Sequence, residues 1–306
     1  MSGRSRRHGF TLAELIVALA LALAVAGLVH EQLLRSRRLA RAQVERSAMQ
    51  ENTRAAALIL SGELGALGYD AIGAEAAASL GAAAGQRSDL LALAPGAATY
   101  LAERGGGLVC GVVAGAPGEV WIASSSYTGL RAPRPTDSLL LFVESDPATG
   151  LDDAWIHFGV ASTAAAACAS GEPAMAVRVA PAAPLGADAL LRVTAGSPVR
   201  LAEVMELRYY ASGGKSWLGM RSVSTGEAIT PVAGPFADSS GAVRGMTLRW
   251  LDGSDAPTSD PAAVRMVEVG LVGVTDQPIH GRDLRRALVD TLPLTLRVAL
   301  RNALGP

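Results

Sequence analysis

Aromatic residues make up only 4% of this 306-residue chain, and there are two cysteines and four histidines. So few large rings, against a 50% apolar content supplied heavily by alanine and glycine, means that each buried side chain removes little area from water. The expectation is a loosely built, loop-rich globular part, large enough for one big domain or two ordinary ones. Charge of one sign is also lacking. The formal net charge is −1, which argues against a general nucleic-acid binder. The histidines, His8, His30, His157 and His280, are scattered, and none has zinc-ligand spacing. There is no Gly-x-Ser-x-Gly elbow. Gly214-Lys215-Ser216 echoes a phosphate loop, but Tyr209 stands where that motif needs glycine. Two acidic stretches (Glu144, Asp146, Asp152 and Asp153; then Asp252, Asp255 and Asp260) lack the spacing of a calcium-binding hand and read as solvated turns. No catalytic residue, metal site or cofactor is expected.

What is present is concentrated at the N-terminus. Residues Phe10 to Val29 are apolar except for Thr11 and Glu14. Twenty residues of helix span roughly 30 Å, the hydrocarbon thickness of a bilayer. Arg4, Arg6, Arg7 and His8 precede this run, which leaves the N-terminus cytoplasmic and the bulk of the chain outside. Glu14 is the anomaly, because a carboxylate inside an apolar span costs about 3 kcal/mol even on a lenient scale and needs a partner or a purpose.

The string Gly9-Phe10-Thr11-Leu12-Ala13-Glu14-Leu15, behind a basic leader, resembles the processing site of type IV prepilins and type II secretion pseudopilins. The resemblance covers about residues 4–34. It implies cleavage between Gly9 and Phe10 by a prepilin peptidase, N-methylation of Phe10, and pairing of Glu14 with the terminal amine of a neighbouring subunit. The implied partners are that peptidase, other major and minor pilins, the inner-membrane assembly platform and membrane lipid, with no nucleic acid. Glycine suits the cleavage site because a backbone without a side chain can approach an enzyme closely. The competing reading is a secretory signal peptide cut after Ala24-Val25-Ala26, giving a start at Gly27. The length of the run and the presence of Glu14 inside it argue against that.

From His30 to about Leu67 there is no proline, and the first glycine is Gly62. Good helix formers fill the stretch, so one helix from Phe10 to about Leu67 is expected, roughly 85 Å long. Leu33, Leu34, Ala40, Val44, Ala48, Ala55, Leu58 and Ala66 recur along its outer half, one face of which should pack on the head. Ala18, Ala22 and Ala26 form a small-residue row within the span. The segments follow as 1–9 leader, 10–29 transmembrane half, 30–68 amphipathic half and 69–306 extracytoplasmic head.

In the head, 71–88 reads as a loop. Strand-like runs follow at Gly118–Ser124, Ser138–Glu144, Ala154–Val160, Ala174–Val179, Leu190–Val193, Met246–Leu251, Arg265–Val274 and Thr295–Leu300. Glu203–Tyr210 and Ser216–Ser222 read as a hairpin around Gly213-Gly214. Trp121, Trp155, Trp217 and Trp250 all fall on or beside such runs and are expected in the core. The fold class is α+β: a long N-terminal helix on a β-rich, mainly antiparallel, pilin-like head. Cys110 and Cys168 suit one disulfide in an exported chain, with two free buried thiols as the alternative. The helix end at Gly68-Tyr69 and the tail Leu292–Asn302 resemble PilW-type minor pilins. A J-type minor pseudopilin, or an enzyme or binding module on a borrowed anchor, are the alternatives.

Overall fold

The computed structural model describes all residues except 1–10, 73–77, 79–84, 116, 130, 145, 147, 182–186, 239–243, 281–286 and 302–306. Helix α1 runs Leu12–Ala66. It is followed by β1 (Tyr69–Ile72), β2 (Gly85–Ser88), β3 (Leu90–Ala94), β4 (Ala97–Val113), β5 (Gly118–Ala123), β6 (Thr128–Gly129), β7 (Ser138–Val143), β8 (Ala154–Ala167) and β9 (Pro173–Pro181). A 3-10 turn (Ala187–Arg192) then leads to β10 (Pro198–Ser212), β11 (Lys215–Ser222), β12 (Thr230–Phe236), β13 (Met246–Leu251), β14 (Met266–Val274), β15 (Ile279–His280), β16 (Ala287–Leu288) and β17 (Thr291–Ala299). All pairings are antiparallel, so the fold is one long helix on an antiparallel β-rich head.

Two long strands, β4 and β10, organise the head. They pair with each other from Pro198↔Leu108 to Arg208↔Ala97. One end of this pair belongs to a ring, β4–β5–β9–β8–β7–β10, that closes on itself as a six-stranded barrel. Alternate residues fill it: Val120 and Ile122 of β5, Leu139 and Leu141 of β7, Ile156 and Phe158 of β8, and Val177 and Val179 of β9. The other end of the pair belongs to an open wing in which β11, β12, β14, β13 and β17 extend the sheet. Helix α1 covers this wing and contributes Ala56, Leu60 and Leu64 to its core. The β10–β11 hairpin turns at Gly213-Gly214, with φ of +62° and +74°, as a two-residue turn of this hand requires.

Several expectations need correction. Leu190–Val193 is not a strand. It lies at the end of the 3-10 turn, where Leu190 and Val193, three apart and joined by Val193 N–H to Leu190 C=O, drop into the barrel core. An apolar plug has the composition of a strand but not its ladder. The region 71–88 is not loop at its ends, since Tyr69–Ile72 pairs with Gly85–Ser88. Strands β3, β4 and β12 lie where no strand is expected. Gly105–Gly107 interrupts the alternation in β4, and Pro231 and Pro235 interrupt it in β12. Nor is the head loop-rich, because alanine and glycine serve inside strands, as in Ala164–Ala167 of β8 against Pro173–Ala176 of β9. Only Trp250 among the tryptophans is buried; Trp121, Trp155 and Trp217 are half-buried on outer faces.

The glycines of β4 have a specific use. A Cβ on Gly105 would stand 2.8 Å from Gly129 Cα, and one on Gly107 would stand 2.9 Å from the Ile122 side chain. The run lets β6 and β5 close over β4 where it passes from wing to barrel.

Candidate functional site

The helix N-terminus is built by a capping box. The Thr11 hydroxyl accepts the Glu14 N–H at 3.3 Å, while Glu14 Oε2 accepts the Thr11 N–H at 2.9 Å and its hydroxyl at 3.0 Å. Thr11 belongs to the site through this cap, and Thr-x-x-Glu ahead of an apolar run is its signal in the sequence. Gly9 and Phe10 lie outside the described residues.

Beyond the cap, α1 has two halves. Every residue from Thr11 to Arg41 is exposed, including Leu12, Leu15, Ile16, Leu19, Leu23 and Leu28 and the small row Ala18, Ala22 and Ala26. An 18-residue window here has mean hydropathy 2.6 and no buried residue, so by length and composition the segment can cross a membrane. From Ala42 onward the helix packs on the head through Ala42, Met49, Thr53, Ala56, Leu60 and Leu64. Steps of seven, four, three, four and four residues keep these on one face. This overturns the expected packing face. Leu33, Leu34, Ala40, Val44, Ala48, Ala55, Leu58 and Ala66 lie on the opposite side and are exposed, Leu58 by 74%. On the packed face the sheet approaches the helix closely. At Gly273 of β14 an added Cβ would be 2.1 Å from Thr53 Oγ1, so the sheet meets the helix without a side chain between them.

The packed half is fastened by a chain of charges. Glu63 of α1 accepts hydrogen bonds from Tyr100 Oη (2.9 Å) and Arg104 Nη1 (3.1 Å), both on β4. Arg104 Nε also reaches Glu203 of β10 at 2.9 Å, and Glu203 takes Arg131 Nη2 at 2.7 Å. Arg131 Nη1 binds the fully buried Asp137 at 2.6 Å. Five alternating charges thus tie the last turns of the helix to β4, β10 and the segment before β7. Burial would raise the Glu203 pKa, but the hydrogen bonds of Arg131 and Arg104 outweigh it and hold the group below its ordinary value. Burial, with the charge of Glu63 beside it, pushes the Tyr100 phenol far up.

Cys110 and Cys168 form a disulfide that spans 58 residues. Cys110 is the extra residue where the β4–β5 register slips between Val109↔Ile122 and Gly111↔Trp121, and Cys168 directly follows β8. Among the described residues, no three His, Cys, Asp or Glu side chains gather to hold a metal. Asp252 instead accepts Ser254 N–H, Ser254 hydroxyl and Ala256 N–H, closing its own turn. Asp152 accepts Asp146 N–H at 2.7 Å. Lys215 of the phosphate-loop echo sits just past the hairpin turn, paired with Asp276.

The profile of the prokaryotic N-terminal methylation motif matches residues 4–29. This match supports a type IV pilin or pseudopilin precursor processed by prepilin peptidase and assembled with other pilins. No curated protein and no solved structure matches the chain.

Proposed function

We propose that this chain is a minor pilin, PilW-like in its helix end and tail, cut after Gly9, N-methylated at Phe10 and held in the inner membrane by residues 10–29 with its head in the periplasm until it joins a type IV pilus. The observation that carries this reading is the bare half of α1. The exposed apolar run from Leu12 to Val29 needs either lipid or other helices around it, since leaving its large side chains in water costs roughly 1.5–3 kcal/mol each. Lipid covers them in the single subunit, and neighbouring assembly helices cover them in a filament. The exposed face from Leu33 to Leu58 continues the same surface beyond the membrane. Generally structural, pilin-type proteins work by such packing rather than by turnover.

Glu14 then has two successive roles. In the isolated subunit its Oε2 is tied to the helix N-terminus, while Oε1 accepts no hydrogen bond among the described residues. In the filament the carboxylate pairs with the amine of a neighbour's Phe10, which compensates a charge otherwise stranded among apolar side chains. Mass spectrometry of the mature chain should find N-methylphenylalanine at Phe10; a start at Gly27 would overturn the assignment. Glu14→Gln should leave cleavage intact yet lower the protein's content in sheared filaments by roughly tenfold or more. Undiminished incorporation would count against the pairing.

A further inference from the structure

The outer wall of the barrel and the last turns of α1 enclose a cavity of about 260 Å³. Its floor is apolar, from Leu101, Leu140 and Ala202, and Gly62 of α1 stands on its wall. A Cβ at Gly62 would meet nothing within 4 Å, so the space beside it is open. Three arginines line the cavity: Arg301 is exposed at its edge, and Arg104 is committed to Glu63 and Glu203. Arg200 is not: among the described residues it has no ion pair. Instead its guanidinium carbon lies 4.0 Å from the centre of the Trp155 ring, which in turn packs edge-on to Phe142.

That stacking has a chemical consequence. The aromatic ring occupies one face of the guanidinium plane and fixes its tilt, while the N–H donors, which lie in the plane, stay free. A planar two-toothed donor without an acid is matched by a carboxylate, which takes two parallel N–H···O bonds. The acids nearby do not fill this role. Glu63 is bound by Arg104 and Tyr100, Asp89 accepts the Gly68 N–H at 2.9 Å, and Glu103 is exposed. β10 holds Arg200 opposite Leu140 on one side and Gly106 on the other, so the cation and the apolar floor keep a fixed relation.

We propose that this cavity binds a carboxylate carried on a short aliphatic stem, with Arg200 gripping the oxygens and Leu101, Leu140 and Ala202 covering the methylenes. A tetrahedral anion such as sulfate has no stem for the floor and mismatches the planar fork. The carboxylate can come from a free short-chain diacid or from a glutamate side chain of a neighbouring polypeptide.

The test uses the full-length chain in detergent, reading Trp155 emission during titration with sodium glutarate, with the blocked tripeptide Ala-Glu-Ala, and with sodium sulfate. A Trp155→Phe variant assigns the signal. The expected result is a saturable change with glutarate, with the tripeptide or with both, and none with sulfate. Tighter binding of glutarate identifies a free acid as the natural occupant, and tighter binding of the tripeptide identifies a protein side chain. Arg200→Lys, which keeps the charge but loses the fork, should weaken binding by roughly tenfold. Gly62→Leu should abolish it by filling the space, and the change favours the helix, so the variant keeps its fold. Non-saturating titrations, an equal response to sulfate, or unaltered binding in both variants would overturn the proposal.

Discussion

The two halves of α1 share one backbone and similar helix propensity, yet they meet opposite surroundings. From Thr11 to Arg41 every residue of the helix is exposed, while Leu60 and Leu64 are fully buried. The difference shows that propensity sets only the existence of the helix, whereas burial sets what each half contributes. The packed half belongs to the stability of the head; the bare half adds nothing to it and is free for assembly. Leu58 and Leu60 sharpen the point, because two positions along the same turn separate 74% exposure from 0%.

The largest test of this contrast is that pair. Leu60→Ala should cost about 2–5 kcal/mol in the head's unfolding free energy, because it removes a fully buried side chain from a packed core. Leu58→Ala should stay within about 0.5 kcal/mol by the same denaturant titration. Equal effects would mean that the helix packs on the head through the other face. Next in size is the disulfide. Closing a loop of this length is worth about 4 kcal/mol at most in the chain-entropy account, so Cys110→Ser with Cys168→Ser should lower stability by about 2–4 kcal/mol. Because the bridge lies in the barrel, membrane attachment of the bare half should not change.

A smaller effect is expected where the two regions are tied together. Arg104→Ala leaves Glu63 and Glu203 facing each other without their shared cation; with side chains 11–22% exposed, solvent discounts the loss to about 2 kcal/mol. The smallest effect comes from pH. The pKa of Glu203 is depressed in the folded state, so its contribution is fully present above its ordinary value of 4.5 and is lost as pH falls through the lower folded value. Thermal stability should therefore decline below about pH 4.5, and Glu203→Gln should flatten part of that slope. An unchanged slope would remove Glu203 from the acid response.

Legibility followed the range of the interaction. The β10–β11 hairpin could be read because its signals are adjacent: alternating runs on either side of Gly213-Gly214. The 3-10 plug at Leu190 and Val193 could not, because a strand and a plug differ only in whether a neighbouring chain offers a ladder. Arg104 and Glu203 are 99 residues apart in sequence, and nothing local marks them as partners. The packing face of α1 is hard to read from sequence for a related reason. Alanines and leucines lie on both sides of the helix, and what covers one side comes from strands such as that of Gly273, more than two hundred residues away.

By itself the sequence carried the N-terminal motif: Gly9-Phe10 behind basic residues, Glu14 within an apolar run, and helix-forming sequence to about Leu67. These are linear features, set by composition and short-range hydrogen bonding, and need no other part of the chain. Only the tertiary structure decided which face of that helix is covered, that β4 and β10 close a barrel at one end and open a wing at the other, and that Arg200 lines a cavity stacked on Trp155 with no ion pair among the described residues. Those outcomes depend on strand register, where a shift of one residue turns every side chain to the opposite face.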